Sequence, residues 1–141
     1  MYWPPFAARF APVIQLALDH DIPVLAAMAR DGWDFTAPIP SCVLMFKQEL
    51  PLMFPEDDDV ALVRDHFFDP FEYLAERHKA GLLATDFKQS LGKVAWQVAC
   101  HQRVQKIGPK TRDILQLVPD TEITVIERCS GHDGTYGVKH K

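Results

Sequence analysis

The apolar positions in the first third of the chain recur at helical spacing. They follow Pro12 as far as Leu18 and recur again after Asp21, which is expected to cap a second helix that ends at Gly32. The apolar face of this second helix is predicted to consist of Val24, Leu25 and Met28.

A strict alternation of apolar and polar residues from Trp33 to Ala37 predicts a short strand. Ser41 is a suitable N-cap for the helix that follows. Pro51 is expected to end that helix, because proline has no backbone N–H and clashes with the preceding turn.

Two helix-start signals lie in the middle of the chain. The acidic run 56–59 predicts a helix over about 60–67, because carboxylates favour the positive end of a helix. The stretch 69–72 offers a capping aspartate, a proline at the first helical position and a glutamate, and Gly81 is expected to end the helix. Residues 82–92 are predicted to form a loop.

Apolar and polar residues alternate again in the last third of the chain. This alternation predicts strands over about 93–99 and 122–127, separated by a turn at Gly108 and a helix that reaches Leu117. Because strands that alternate with helices are typical of parallel sheets with helical crossovers, the predicted class is α/β.

Composition and charge restrict the function without identifying it. The chain has 141 residues, of which 48% are hydrophobic, and a formal net charge of -4, so it suits one globular domain and does not suggest a nucleic-acid partner. One local basic run is expected to be a solvated helix face; its members are Arg103, Lys106, Lys110 and Arg112.

Neither a membrane span nor a signal peptide is indicated. No apolar stretch reaches the roughly 18 residues that a span needs, and Met1–Phe10 lacks the basic start of a signal peptide. We therefore expect a cytoplasmic protein.

Three cysteines are too few for a disulfide framework. In a reducing compartment such residues are commonly small buried hydrophobes, which is one interpretation here. Yet Cys42, Cys100 and Cys129 each follow the end of a predicted strand, and sites in α/β sheets lie at the carboxyl ends of strands. A shared site is therefore the alternative interpretation.

The neighbours of the cysteines favour the shared site. Cys42 falls in the first turn of its predicted helix, where the helix dipole favours thiolate. His101 follows Cys100, and His132 lies close after Cys129 and Gly131. Three thiolates and one imidazole suit a soft metal or an iron–sulfur cluster.

Three motifs resemble the cysteine-rich CCG domain of iron–sulfur oxidoreductases. They are Pro40-Ser41-Cys42 with Lys47-Gln48-Glu49, then Cys100-His101, and then the stretch from Cys129 to Gly137. Related domains occur in the heterodisulfide reductase B subunit and in the C subunit of anaerobic glycerol-3-phosphate dehydrogenase. The resemblance runs from about Ile22 to the last residue, and residues 1–21 form an atypical N-terminal segment.

The resemblance implies a Rossmann-like domain that binds a cluster of the 4Fe-4S type. Such a domain passes electrons from a flavin dehydrogenase or another redox subunit to a quinone or thiol acceptor, in the cytoplasm or at the inner face of a membrane through its partners. Cys100 and Cys129 correspond to cluster ligands, whereas Cys42 matches a family cysteine without a definite role. No residue is predicted to be catalytic.

The chain also departs from the family pattern. The family's paired cysteines appear here as Cys129-Ser130, and a serine hydroxyl is a poorer iron ligand than a thiolate. The cysteine motifs expected before Ile22 and after Lys141 are missing, so we expect an incomplete domain that is inactive as an isolated chain.

Two other functions stay open at this point. Zinc held by the three cysteines and one histidine would make a structural module, although no CxxC or HxxxH spacing supports it. A non-catalytic α/β fragment with merely structural cysteines is the other possibility.

Overall fold

The computed structural model describes residues 15–128. These residues form two compact units, one extending to Phe68 and the other beginning at Asp69, and each unit is described by itself. Within the described range, no helix has the length and apolar character needed to cross a bilayer.

The first unit is mainly helical. Its elements, in chain order, are a π-helical turn (Ala17–Asp21), α1 (Ile22–Arg30), β1 (Phe35–Thr36), α2 (Pro40–Leu44), a second π-helical turn (Met45–Glu49), α3 (Leu50–Met53), α4 (Asp58–His66) and β2 (Phe67–Phe68).

The second unit contains longer strands and shorter helices. Its elements are α5 (Pro70–Lys79), β3 (Lys93–Gln97), α6 (Cys100–Val104), α7 (Lys110–Leu115) and β4 (Glu122–Ile126). No helix or strand is assigned over 82–92, as predicted.

The start of α1 differs from the prediction. Asp21 keeps helical dihedral angles and makes no side-chain cap, because the π-helical turn before it runs directly into α1. The predicted apolar face is only partly correct, because Leu25 packs against the core whereas Val24 is 59% exposed. The buried positions of the helix are Ile22, Ala26 and Ala29. Gly32 does end the helix, with a φ of 88° that glycine adopts without strain.

The helix at Ser41 also begins and ends differently from expectation. Ser41 lies inside α2, and Ile39 occupies the N-cap position. Pro51 does not end the helical path, because the second π-helical turn shifts the hydrogen bonding and leaves the proline in the first turn of α3, where no N–H is required.

The two capping signals around residues 57–72 are confirmed. Asp57 accepts hydrogen bonds from the backbone N–H groups of Asp59 (3.0 Å) and Val60 (3.1 Å) at the start of α4. Asp69 accepts one from the N–H of Phe71 (2.9 Å) at the start of α5. Short polar side chains thus satisfy backbone donors that the helix itself leaves without partners.

The core of the first unit packs its helices around the short pair β1 and β2. Phe67 in β2 is 6% exposed and stacks on Phe46 at a centroid distance of 4.4 Å. Strands β1 and β2 run parallel, with Phe35 opposite Phe67. The prediction extended α4 to this residue, but its backbone instead completes the strand pair.

The second unit contains a βαβ unit. Strands β3 and β4 pair in parallel from Lys93 opposite Glu122 to Gln97 opposite Ile126, and α6 and α7 form the crossover between them. The predicted α/β class is therefore confirmed at the level of mixed helices and parallel strands, which form two separate two-stranded sheets in the described residues.

The basic run does not form one helix face. Arg103 lies in α6, Lys106 follows its end, and Lys110 and Arg112 lie in α7. The prediction of a single solvated face is wrong, because the chain turns between the two helices at Gly108.

Candidate functional site

Cys100 is the first residue of α6, directly after β3. Val98 continues the strand pairing by donating from its N–H to the carbonyl of Ile126 (3.0 Å), and Ala99 then stays extended as the N-cap. The carbonyl of Ala99 accepts from the N–H groups of Gln102 and Arg103. The end of the strand therefore fixes where the Cys100 thiol begins the helix, and this thiol is exposed.

A buried carboxylate anchors the helix that carries Cys100. Asp69 is 1% exposed, and one of its oxygens caps α5 while the other accepts from the side-chain amide of Gln102 (3.0 Å). Because a buried carboxylate needs several donors, this bond couples the position of α6 to the start of α5.

A second side chain holds the segment that follows β4. The amide of Gln97, the last residue of β3, donates to the backbone carbonyl of Arg128 (2.8 Å). Arg128 directly precedes Cys129, and Gln97 lies three residues before Cys100. This hydrogen bond therefore joins the two chain segments that lead to these cysteines.

Cys42 lies in the first unit, within α2, and its thiol is also exposed. Its N–H donates to the carbonyl of Ile39 (3.0 Å). The interpretation of Cys42 and Cys100 as buried core residues is therefore wrong. Both thiols lie near the start of short helices, where few neighbouring side chains cover them.

The remaining predicted ligands are only partly described. His101 follows Cys100 in α6 and is exposed. Cys129 and His132 lie outside the described residues. Within 15–128, no three side chains of histidine, cysteine, aspartate or glutamate form a group that could hold a metal ion.

Ion pairs connect the helices of the second unit. Lys110 in α7 lies 3.5 Å from a carboxylate oxygen of Glu72 and 3.7 Å from one of Glu76, both in α5. A hydrogen bond from Lys79 (2.9 Å) lowers the pKa of the Glu76 carboxyl below its ordinary value, and the charge of Lys110 acts in the same direction.

The comparisons with known proteins leave the family unassigned. No family model matches the chain, and no solved structure matches it.

Sequence reasoning missed the two glutamines that organise the site. Gln97 falls within the predicted strand 93–99, where no role was predicted for it, and Gln102 belongs to no motif. The start signal at Asp69 was recognised, but a local capping pattern does not reveal that the second carboxylate oxygen holds a helix more than 30 residues away.

Proposed function

We propose that this chain is an iron–sulfur electron-transfer module, or the remnant of one, related to the CCG domain of iron–sulfur oxidoreductases. The observation that carries the proposal is the pairing of β3 with β4, together with the hydrogen bond from Gln97 to Arg128.

The register gives the two cysteines equivalent positions along the chain. Gln97 pairs with Ile126, and Cys100 and Cys129 each follow their member of this pair by three residues. Neighbouring strands lie about 4.8 Å apart, and three residues reach at most about 11 Å. Two thiolates can therefore bind one inorganic centre near the carboxyl ends of the strands.

The donor chemistry suits an iron–sulfur cluster. Cys100 and Cys129 would supply thiolates, and His101 or His132 or the thiol of Cys42 would complete the ligand set. Glycine at position 131 lets the backbone approach the cluster closely. When bound, the cluster supplies one-electron transfer.

The proposal extends to the fold and the partners. The βαβ unit would be part of a Rossmann-like sheet. A flavin dehydrogenase or another redox subunit would deliver the electrons, in the cytoplasm or in a complex at the inner face of a membrane.

Anaerobic reconstitution of the full chain with ferrous iron and sulfide tests this function. We expect visible charge-transfer absorption and an EPR signal after reduction, with both lost in Cys100→Ser and in Cys129→Ser. The Cys42→Ser variant reports whether Cys42 is a ligand. Absence of absorption from the unmodified chain, or its persistence in both of the first two variants, would contradict the proposal.

A gain-of-function variant sharpens the test. Ser130→Cys restores the paired cysteines of the family and is expected to raise the iron and sulfide bound per chain. Thr124→Cys, on the exposed part of β4, adds a thiol away from the proposed ligands and is the matched control. Zinc in place of iron after aerobic purification would favour the structural zinc module instead.

A further inference from the structure

A cavity of about 580 Å³ lies on one face of the β3–β4 pair in the second unit. Its floor is formed by Trp96 and Val98 from β3 and its extension, and by Val125 from β4. Trp96 and Val125 are register partners, so they lie side by side on the same face. This volume is within the range of small-molecule sites, and cavities near the carboxyl ends of parallel strands are a common place for them.

Cations surround this apolar floor. Arg103, Lys106 and Arg112 all line the cavity, and Glu127 is the single carboxylate among its lining residues in the described part of the chain. The whole protein carries a net charge of -4, so a concentration of positive charge at one cavity is not a general property of its surface. Such a cavity favours an anion.

Two of the three cations have no ion-pair partner within residues 15–128, and these are Arg103 and Lys106. Arg112 binds Asp113 through its guanidinium (2.9 Å), and Lys110, which does not line the cavity, is held by carboxylates of α5. Arg103 and Lys106 are therefore the cavity-lining cations that these ion pairs leave available for a ligand.

Lys106 adopts a backbone conformation that favours glycine. Its φ is 56°, at the position just after the end of α6 where helices commonly place a glycine. A side chain at this φ is unfavourable, and outliers of this kind cluster at binding sites. At this position glycine would be the less strained residue, and the lysine instead brings a charge to the lining of the cavity.

We propose that this cavity binds a phosphorylated small molecule with a flat aromatic body, of the nucleotide class. The phosphate would accept hydrogen bonds from Arg103 and Lys106, since guanidinium and ammonium groups pair strongly with phosphate oxygens. The aromatic body would stack on Trp96. Glu127 would accept a hydrogen bond from a hydroxyl or amino group of the ligand.

Calorimetric titration of the full chain with AMP tests this proposal, with adenosine and inorganic phosphate titrated separately. We expect saturable AMP binding and at least about tenfold weaker binding of either half alone, because each half engages only the cations or only the apolar floor. Equal affinity for phosphate and AMP, or no saturable binding of AMP, would overturn the proposal.

Variants at Lys106 separate charge from folding. Lys106→Gly removes the charge and relieves the positive φ, so we expect a melting temperature at or above that of the unmodified chain and AMP binding weakened at least about tenfold. Arg103→Gln should weaken binding similarly. Lys88→Gln, which changes an exposed lysine outside the cavity, is the control and should bind AMP normally. Unchanged binding in both Lys106→Gly and Arg103→Gln would overturn the proposal.

Discussion

The two units distribute stability and chemistry differently. The first unit surrounds a very short strand pair with a contiguous buried cluster that includes Ile22, Val63 and Phe67. The second unit has the longer strand pair, yet Val125 and Ile126 in β4 are 38% and 39% exposed. The first unit has the better-covered core, and of the predicted cluster ligands it contains only Cys42. The second unit contains the other predicted ligands and has the more exposed sheet.

This difference indicates how each unit is held together. In the first, burial of apolar side chains dominates. In the second, polar and ionic links are prominent: the buried Asp69, the bond from Gln97 to Arg128 and the ion pairs of Lys110. A two-stranded sheet is marginal without such support. The polar links of the second unit therefore help to hold its helices and strands together.

A pair of phenylalanine truncations gives the largest expected contrast. Phe67→Ala in the first unit removes a ring that is 6% exposed and stacked on Phe46, and should lower the free energy of unfolding by about 3–5 kcal/mol. Phe87→Ala in the second unit removes a ring that is 38% exposed and should cost about 1–2 kcal/mol. Urea unfolding measures both; equal losses would contradict the described packing.

The two capping aspartates give the next contrast. Asp57→Ala should cost about 1 kcal/mol, since it removes an N-cap. Asp69→Ala removes a cap and also leaves the Gln102 amide without its acceptor, so it should cost about 2–3 kcal/mol. Thermal or urea unfolding compares them. A smaller loss for Asp69→Ala than for Asp57→Ala would show that the bond to Gln102 contributes nothing.

Gln97→Ala should have a small effect on the free energy of unfolding and a larger effect on iron binding at the proposed site. Loss of one exposed hydrogen bond costs about 0.5–1.5 kcal/mol, whereas release of the Arg128 carbonyl frees the segment before Cys129. We expect less iron bound after reconstitution and a melting temperature lowered by only about a few degrees. Thr124→Ala on exposed β4 is the control, and equal iron content in the two variants would argue against a positioning role for Gln97.

The smallest expected effect is the change in stability with pH that one carboxyl group in each unit contributes. Hydrogen bonds from Arg64 and from Lys79 lower the pKa values of Asp65 and Glu76, respectively. Because both folded-state pKa values lie below their ordinary values, the stabilisation is present above the ordinary pKa and is lost as pH falls through the lowered one. Both groups are exposed, so salt weakens the effect.

Titration by NMR measures these carboxyl groups directly. The pKa of Glu76 should rise towards its ordinary value in Lys79→Gln, and that of Asp65 should rise in Arg64→Gln. Each variant should leave the other carboxyl group unchanged. A pKa that stays low after its partner is removed would assign the shift to a different cause.

The sequence predicted the elements whose signals are local. The aspartate caps at positions 57 and 69, the end of α1 at Gly32 and the pairing segments 93–97 and 122–126 follow from residue chemistry within a few positions. The start of α1 and the path through Pro51 were predicted wrongly, because a π-helical turn runs directly into α1 and another runs directly into α3.

The site was predicted less completely than the strands. The pattern predicts that Cys42 lies near a helix start and that Cys100 follows a strand end, but it predicts neither the helix α6 that Cys100 begins nor the exposure of the two thiols. Nor does any spacing reveal the cavity, because Trp96, Arg103 and Lys106 meet only after the crossover between β3 and β4 has folded. Contacts that join distant segments require the tertiary structure.

The most direct test of the proposed site is thiol cross-linking in the metal-free chain. Mild oxidation followed by peptide mass spectrometry measures which cysteines come within bonding reach. The parallel register of β3 and β4 predicts that Cys100 joins Cys129 within one molecule, and that Gln97→Ala lowers the yield. Absence of this link, with Cys100 and Cys129 both reactive to small thiol reagents, would contradict a shared site at these strand ends.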